Sequence, residues 1–499
     1  MSRTKSFIRG FASTTAQKVI TKIIGLIVTP IVLTYLDKTE YGIWVIIGSV
    51  LGYMGLMDFG ITGAISVIIA KNNTKDKEEH INIIINNAFL LQSLIGLFII
   101  LIGVIISFYF YDFFDIDNYS KDDAWIVFIM AVIGYGISFP SKSLKGLIKA
   151  RQMISLAVWL EFFMFISVTS LNLYFLHLQF GLLALPLGTI IIRLLSYPIY
   201  MFFAKRAYPK LKFSISYISL DYIKDIFNVS SIWFIGMIAA MVIYSTDTIL
   251  IGKLLDISLV TIYTLTFRLS EVFREFIYSI SLTLMPAIGQ IMGMGDMDKA
   301  RKIYLSSQPL ILSLAIVASI FVFLFNSYFV SFWVGDSYFA GEQLSLVFAI
   351  MLFTTVVFHS SSLILSADLR IKEVTTIRLL EAFINIVLTI WFLKLYGLIG
   401  AAIATLISSI LTSFWYIPYL AMKHLQISFK RWFNLIIIKI LKVLVSIIFL
   451  SIIVKQLFYF GNLGVFISFI LYGVISLLIL WLLTIDEEIK RMIYKKIKR

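Results

Sequence analysis

The sequence predicts an all-α integral membrane protein with about fourteen transmembrane helices, and three observations lead to this fold class. Of the 499 residues, 60% are hydrophobic and 14% are charged, about half the charged fraction of soluble domains. The mean hydropathy is +0.96. Runs such as residues 94–106 are apolar without interruption, whereas the strands of a membrane barrel alternate apolar and polar residues. These observations exclude a soluble enzyme, a disordered tail protein and a nucleic-acid-binding module.

Fourteen segments are long and apolar enough to cross a bilayer, which takes about 20 residues of helix. In chain order they are 11–36, 41–69, 81–111, 124–141, 152–176, 181–204, 230–252, 257–290, 303–329, 343–366, 374–395, 397–422, 433–457 and 462–484. Several exceed the length that a crossing needs, which indicates tilted or bent helices.

The basic residues predict the orientation in the membrane. Of the 42 Lys and Arg residues, 32 are assigned to the side of the two termini, 5 to the other side and 5 to the interior of spans, where residues near the end of a span count with the adjoining side. Because basic loops stay in the cytoplasm, both termini are predicted to be cytoplasmic. One of the cytoplasmic clusters, between the fourth and fifth spans, contains Lys142, Lys145, Lys149 and Arg151. The clusters are short and form no continuous face, so no nucleic-acid partner is expected despite the net charge of +14.

The two halves of the chain resemble each other when one is shifted by about 220 residues. Arg151 and Arg370 precede the fifth and eleventh spans, and Glu161 and Glu381 follow them one residue out of step. Transporters built from parallel repeats bind substrate between the halves and alternate access. We therefore predict four regions, which are an N-terminal lobe at 1–204, a cytoplasmic linker at 205–229, a C-terminal lobe at 230–422, and two further helices with a basic cytoplasmic tail at 423–499.

Prolines in or at the edge of the spans indicate bent helices. Each proline removes a helical hydrogen bond, which is tolerated where a neighbour or a cavity satisfies the backbone. They are Pro30, Pro140, Pro186, Pro198, Pro286, Pro309 and Pro418.

Ionisable side chains inside spans are energetically costly and usually functional. The basic ones, predicted to bind an anionic substrate, are Lys18, Lys22, Arg193, Arg268 and Arg274. The acidic ones are Asp58, Glu161, Asp247, Glu271, Glu275 and Glu381. Among the acids we select Asp58, Glu161 and Glu381 for ion coupling, because a buried carboxylate can load and release H⁺ or Na⁺. No cofactor and no metal site is predicted.

The N-terminal charges also have structural alternatives. Lys18 and Lys22 are four residues apart and share a helix face. They could extend to the cytoplasmic surface, or Lys22 could pair with Asp58 in the next span.

Structural alternatives exist for the charges of later spans as well. Glu161 and Glu381 could each pair with Arg193, Arg378 or a base of another helix. The eighth span contains four charges at the spacing of an intrahelical ion-pair ladder, which are Arg268, Glu271, Arg274 and Glu275.

The sequence predicts a transporter that is not an enzyme. It contains no Walker A, GxSxG, HExxH or Rossmann motif. Asp115-x-Asp117 and Asp296-x-Asp298 imitate the metal-binding DxD of glycosyltransferases, but both lie in short polar loops, where aspartate is common. The outer loops are also too short for the outer domain that membrane glycosyltransferases usually have.

Seven short motifs occur in a characteristic order. They are Arg9-Gly10 to Pro30, Glu40-Tyr41-Gly42, Met57-Asp58-Phe59-Gly60, Gly146-Leu-Ile-Lys-Ala-Arg151, Asp247-Thr-Ile-Leu-Ile-Gly252, Met294-Gly-Asp296 and Phe332-Trp-Val-Gly-Asp336. Over nearly the whole chain, their order and spacing resemble the polysaccharide exporters of the multidrug/oligosaccharidyl-lipid/polysaccharide (MOP) superfamily, and most closely the Wzx-type flippases.

This resemblance implies a flippase of the bacterial inner membrane. Such proteins move undecaprenyl-diphosphate-linked oligosaccharide repeat units from the cytoplasmic to the periplasmic leaflet for O-antigen or other surface polysaccharide assembly. It implies two six-helix lobes around a cationic cavity, and Lys18, Lys22 and Arg268 match positions of cavity cations. It also implies ion-coupled alternating access, and a polysaccharide polymerase and chain-length machinery as partners.

Two other functions compete with this interpretation. A multidrug/cation antiporter of the same superfamily would need acids without bases in its cavity and usually has twelve spans. A membrane glycosyltransferase or polymerase would need a larger outer domain. The paired Lys18 and Lys22 and the two additional helices favour the flippase.

Overall fold

The computed structural model describes residues 3–71, 78–116, 119–368, 370–485 and 490. Asp117, the basic loop at 72–77 and most of the basic tail after residue 485 lie outside the described residues. The chain divides into two compact units, Met1–Thr261 and Ile262–Arg499.

Unit 1 is built from nine helices in its described part. They are α1 (Arg3–Leu33), α2 (Lys38–Gly55), α3 (Ile61–Lys71), α4 (Glu78–Phe114), α5 (Lys121–Ile137), α6 (Phe139–Ala150), α7 (Ile154–His177), α8 (Ala184–Ala207) and α9 (Leu220–Leu254).

Unit 2 contains the remaining helices. They are α10 (Ile257–Leu282, whose first turn belongs to unit 1), α11 (Met285–Gly293), α12 (Met297–Trp333), α13 (Glu342–Ala367), α14 (Ile371–Tyr396), α15 (Leu398–Leu411), α16 (Ser413–His424), α17 (Phe429–Trp432), α18 (Ile438–Gln456) and α19 (Gly461–Thr484).

The predicted all-α membrane fold is confirmed. In the described parts of the chain, twelve helical segments are long and apolar enough to cross a membrane, or up to thirteen with the bent helix α9. One of the twelve, Phe429–Thr484, has 56 residues and would be about 84 Å long if straight, far more than one crossing needs. It contains α18 and α19, which pack along each other. Counting them as two crossings brings the total to the fourteen that hydropathy predicts.

Four of the predicted spans are broken into two helices. Pro140 and Pro286 lie in the first turns of α6 and α11, where a missing N–H is tolerated, so proline explains two of the breaks. Between α2 and α3, a 3-10 turn ends in Phe59 and Gly60 with φ of 49° and 76°. A left-handed residue ends a helix, and the motif Met57-Asp58-Phe59-Gly60 is therefore a helix break. The fourth break lies at Thr412, between α15 and α16.

Helix α9 packs within unit 1, against α2, α3 and α4. A hydrogen bond of 2.7 Å joins Ser49 Oγ of α2 to Thr248 Oγ1 of α9, and Tyr53 of α2 bonds Thr246. The division between the compact units therefore follows Thr261. The division that the sequence repeat predicts, at the linker 205–229, stays a prediction.

The core of unit 2 forms along α12 and α13. Tyr304 is fully buried, and its hydroxyl lies 3.2 Å from Ser361 Oγ. The two C-terminal helices pack on α12, where Tyr472 donates a hydrogen bond of 2.8 Å to the carbonyl oxygen of Val317. This bond fastens α19 to the core of unit 2.

Candidate functional site

Three lysines of unit 1 lie on a helix that hydropathy did not predict. The predicted fourth span ends at residue 141, and Lys142, Lys145 and Lys149 were assigned to a cytoplasmic loop. In the structure they belong to α6, inside the candidate membrane span Lys121–Ala150. The apolar run stops at residue 141, but the helix continues as an amphipathic one.

The spacing of these lysines could have revealed the helix. Lys142, Lys145 and Lys149 recur at intervals of three and four, while Leu144, Leu147 and Ile148 between them are buried. This pattern is typical of an amphipathic helix. The prediction was wrong because a sliding average of hydropathy falls when one face of a helix is charged.

Asp58 pairs with Lys142. The carboxylate lies in the break between α2 and α3, is 8% exposed, and is 3.5 Å from Lys142 Nζ. Its Oδ1 also accepts hydrogen bonds from Thr62 (3.0 Å) and Gln92 (2.8 Å). The Lys142 ammonium lies 3.4 Å from the centre of the Phe139 ring, a cation–π arrangement. Asp58, which we selected for ion coupling, is therefore held by a base and two neutral donors.

Glu161 of α7 forms an ion pair with Lys145 of α6. Both side chains are partly buried, with exposed fractions of 33% and 20%. A base from another helix, one of the alternatives for this carboxylate, is thus its partner. One short helix therefore supplies the counter-charge for both Asp58 and Glu161.

Arg193 of α8 adds a fourth base to this region. It is half-buried and close enough to Lys142 and Lys145 to interact with them electrostatically. We call Lys142, Lys145, Lys149 and Arg193 the basic cluster. Two carboxylates, Asp58 and Glu161, pair with the cluster, so its formal net charge is two positive units.

A cavity of about 480 Å³ adjoins the basic cluster. Lys18 and Lys149 bring two ammonium groups to it, and Glu161 brings one carboxylate. Lys18 is exposed and Lys22, one helical turn further along α1, is half-buried. The polar residues of the lining are Thr14, Gln17, Lys18, Lys149, Gln152 and Glu161. Its volume is in the range of small-molecule sites.

The predicted bases of the eighth span pair within their own helix. Arg268 Nη1 lies 2.8 Å from Glu271 Oε2, and Arg274 Nη2 lies 3.9 Å from Glu275 Oε1. The Arg274 guanidinium also lies 5.5 Å from the centre of the Phe267 ring. Of the ion-pair ladder, one of the alternatives for these residues, the pair three residues apart, Arg268 and Glu271, is therefore present in unit 2.

Glu381 is almost completely buried in unit 2, with 1% exposed. Arg378 donates to both of its carboxylate oxygens at 2.9 Å, and Ser413 donates to Oε2. The Arg378 guanidinium lies 4.6 Å from the centre of the Phe358 ring. Of the alternatives for Glu381, the pair with Arg378 is the one that forms.

No group of three or more His, Asp or Glu side chains among the described residues is arranged to hold a metal ion.

The chain matches the models of two known protein families. The family model described as "Polysaccharide biosynthesis protein" matches residues 7–292, more than half of the chain. The chain belongs to the polysaccharide biosynthesis protein family. A second family model, described as "MatE", matches residues 233–391. No curated protein sequence matches this chain.

Solved structures share the fold of this family member. A structure of the lipid II flippase MurJ in an inward closed conformation aligns with a TM-score of 0.71 at 14% identity, covering 97% of this chain and 99% of that one. An inward-facing multidrug resistance MATE family transporter of the MOP superfamily gives a TM-score of 0.64 at 15% identity, with 81% and 95% covered. A MOP superfamily transporter from Pyrococcus furiosus gives 0.57 at 12% identity, with 85% and 96% covered.

The family model agrees with the resemblance to polysaccharide exporters, and the solved structures confirm the predicted fold. The protein is a multi-pass membrane protein that shares the fold of MOP superfamily transporters.

Proposed function

We propose that this protein is a Wzx-type flippase for undecaprenyl-diphosphate-linked oligosaccharide repeat units, used to assemble O-antigen or another surface polysaccharide. The observation that carries the proposal is the excess of positive charge in the basic cluster of unit 1. A member of the polysaccharide biosynthesis protein family with such a cluster is suited to an anionic, lipid-linked sugar.

The charge excess needs an anion because partly buried charges without counter-ions are unstable. Lys142 and Lys145 have side-chain exposures of 26% and 20%, and both pair with carboxylates. Lys149 and Arg193 raise the total to four bases against two acids. A diphosphate in the adjoining cavity would neutralise the remainder through charge-assisted hydrogen bonds, which are roughly twice as strong as neutral ones.

The other predicted bases extend this proposal. Lys18 lines the same cavity, and Lys22 follows it on the same face of α1, so both are proposed to attract the diphosphate. Arg193 takes part as a member of the basic cluster. Arg268 and Arg274 stay proposed substrate contacts, although each already has a carboxylate neighbour in α10.

Ion coupling follows from the pairing of Lys145. When the diphosphate binds Lys145, Glu161 loses its partner and can take up H⁺ or Na⁺, which is how we propose that substrate and ion movements are linked. Asp58 and Glu381 are proposed for the same role, each having a base within reach. No other cofactor and no catalytic step is proposed.

The proposed cellular setting is the bacterial inner membrane, with both termini in the cytoplasm. The repeat unit would be delivered on the cytoplasmic side and taken up by a polysaccharide polymerase and chain-length machinery on the other side.

A binding experiment tests the proposal directly. The purified protein in nanodiscs is titrated with undecaprenyl diphosphate, undecaprenyl phosphate and neutral undecaprenol, and binding is followed by native mass spectrometry. Lys145→Ala should weaken diphosphate binding ten- to hundredfold, since a hydrogen bond to a charged group contributes about 1.5–3 kcal/mol. Lys145→Arg should retain most of the affinity.

The matched control is Lys121→Ala in the same candidate span. Lys121 pairs with Asp112 at 2.8 Å, and both side chains are exposed. Its loss should leave the affinity unchanged. Equal binding of diphosphate and undecaprenol, or an unchanged affinity in Lys145→Ala, would disprove the proposal. Displacement of a bound organic cation by protons would instead favour the multidrug antiporter.

A further inference from the structure

The segment between α8 and α9 is fastened to α4 by three asparagines. We call residues 208–219 the linker strap. Asn82, Asn86 and Asn87 lie in the first turns of α4 and are 4%, 7% and 0% exposed. Buried amides require hydrogen-bond partners, and these amides find them in the backbone of the linker strap.

The side-chain amides of Asn82 and Asn86 each donate one hydrogen bond to the backbone of the linker strap and accept one from it, as a neighbouring peptide group would. Asn82 donates to the carbonyl oxygen of Lys210 (3.1 Å) and accepts from the N–H of Lys212 (3.0 Å). Asn86 donates to the carbonyl oxygen of Lys212 (2.8 Å) and accepts from the N–H of Ser214 (3.0 Å). Each amide thus binds a carbonyl and the N–H two residues further on.

Asn87 repeats this pattern at the end of the strap. It donates to the carbonyl oxygen of Tyr217 and accepts from the N–H of Ser219, both at 2.8 Å. Beyond the strap, the Tyr222 hydroxyl lies 2.5 Å from His80 Nδ1. The six hydrogen bonds of the three asparagines therefore determine which face of the strap lies against α4 and which faces outward.

The outward face carries apolar side chains. Ile215 is 86% exposed, and Phe213 and Ile218 are 41% and 39% exposed. Only Phe213 has a ring neighbour, Phe89 at 5.2 Å, among the contacts of these three side chains in the described residues. Apolar side chains held outward by a fixed backbone are typical of a surface that has a partner.

The linker strap and the last turn of α8 before it are strongly basic. Lys205, Arg206, Lys210 and Lys212 are all exposed, and residues 205–219 contain no acidic residue. The linker strap begins directly after α8, the end of the candidate membrane span Gly181–Ala207. A basic and apolar segment that continues a membrane-spanning helix lies at the level of the lipid headgroups.

We propose that the linker strap binds anionic phospholipid headgroups of the adjoining leaflet. The four basic side chains bind the phosphates, while Ile215 and Phe213 enter the boundary between headgroups and acyl chains. The charge of the strap and its continuity with α8 select a membrane surface rather than a protein partner. Binding of this kind is separate from transport of the lipid-linked sugar.

Fluorescence at a single site tests the proposal, because the chain contains no cysteine. Ile215→Cys is labelled with an environment-sensitive fluorophore and reconstituted into vesicles of phosphatidylcholine with phosphatidylglycerol. Either lipid carries brominated acyl chains as the quencher. Met294→Cys is the matched control, since Met294 is apolar and 69% exposed but lies in a turn next to Asp296 and Asp298.

The label at 215 should be quenched, and more strongly when phosphatidylglycerol carries the bromine. Each basic residue near an anionic surface contributes about a fivefold preference. Replacing Lys210 and Lys212 by glutamine should therefore reduce the preference for the anionic lipid about 25-fold. The label at 294 should remain in water.

Three results would overturn the proposal. An emission at 215 as polar as that at 294 would mean that the strap faces water. Equal quenching by both lipids would remove the role of charge. An emission shift of the label at 215 that depends on protein concentration and occurs without quenching would mean that another protein covers the surface.

A second variant tests the asparagines separately. Asn87→Ala removes the bonds to Tyr217 and Ser219 and should decrease the quenching at 215 while the protein stays folded, as judged by its melting curve. Unchanged quenching in a folded Asn87→Ala protein would contradict the assignment of the fixed outward face. All of these measurements are made without substrate, so they remain interpretable if the proposed transport function is wrong.

Discussion

Replacing Asp58 by asparagine tests the polar cluster at the break between α2 and α3. The asparagine can still accept the hydrogen bonds of Thr62 and Gln92, so the change isolates the charge. Removing one partner of a buried ion pair costs about 3–5 kcal/mol. Lys142 keeps a side-chain exposure of 26% and an aromatic neighbour, so it can be partly solvated. We therefore expect a loss of about 1.5–3 kcal/mol, in the range of hydrogen bonds to charged groups.

A double-mutant cycle identifies the partner. Asp58→Asn, Lys142→Gln and the double variant are unfolded in detergent, and the free energies of unfolding are compared. The two side chains are 3.5 Å apart. The free energy of unfolding lost in the double variant should therefore be smaller than the sum of the two single losses, by about 1 kcal/mol or more.

The same cycle with Lys22→Gln is the control. If Asp58 couples to Lys22 as strongly as to Lys142, or if the Asp58 and Lys142 losses simply add, then the reasoning from the structure is refuted. Transport measured on the same variants should separate stability from function.

Three further predictions concern coupling, topology and pH. Glu161→Gln and Glu381→Gln should each reduce gradient-driven transport while leaving the protein in the membrane; full activity of both, with and without a gradient, would assign them a structural role. A cysteine at Ser120 should react with an impermeant reagent added to intact cells, and a cysteine at Lys299 should not; the reverse would invert the topology. Burial, followed by nearby carboxylates, raises the pKa of Tyr119 above its ordinary value of 10. The neutral phenol is therefore favoured by folding, and stability should fall as the pH rises above about 10. Tyr119→Phe should lessen this fall in alkaline melting curves, and an identical fall would contradict the assignment.

The membrane helices were predictable because an apolar run of about 20 residues has few other stable states. Reliance on apolar runs also explains why the lysines of α6 were predicted to lie in a loop. Lys142 and Lys145 lower the local hydropathy, yet the helix continues because its other face is apolar and because its charges are paired. Hydropathy averages over all faces of a helix, whereas the packing of the helix depends on the residues of each face separately.

Ion-pair partners were only partly predictable. Arg378 and Glu381 lie one helical turn apart, so sequence spacing indicated the pair. Asp58 and Lys142 lie on different elements, and their approach depends on two helix breaks that meet. The sequence contained both the break motif and Pro140, but pairing across helices requires the three-dimensional packing.

The asparagines of α4 were a signal that the sequence analysis did not use. Asn82, Asn86 and Asn87 interrupt an otherwise apolar segment at helical spacing. Buried amides in such a segment need partners, and the sequence predicted the linker only as a cytoplasmic segment. Their partners are backbone groups, which no side-chain pattern of the linker can indicate.

Because the linker strap is held by its backbone, its sequence can change while it stays attached to α4. The three asparagines recognise carbonyl and N–H groups that nearly every amino acid possesses. Substitution at Lys212, Ser214 or Ser219 is therefore compatible with attachment unless it introduces proline, which lacks the N–H. Because the bonds are neutral, acidification or added salt should not release the strap. In a lineage, the strap could change its hydrophobicity and charge to suit a different membrane while its anchorage on α4 stayed the same.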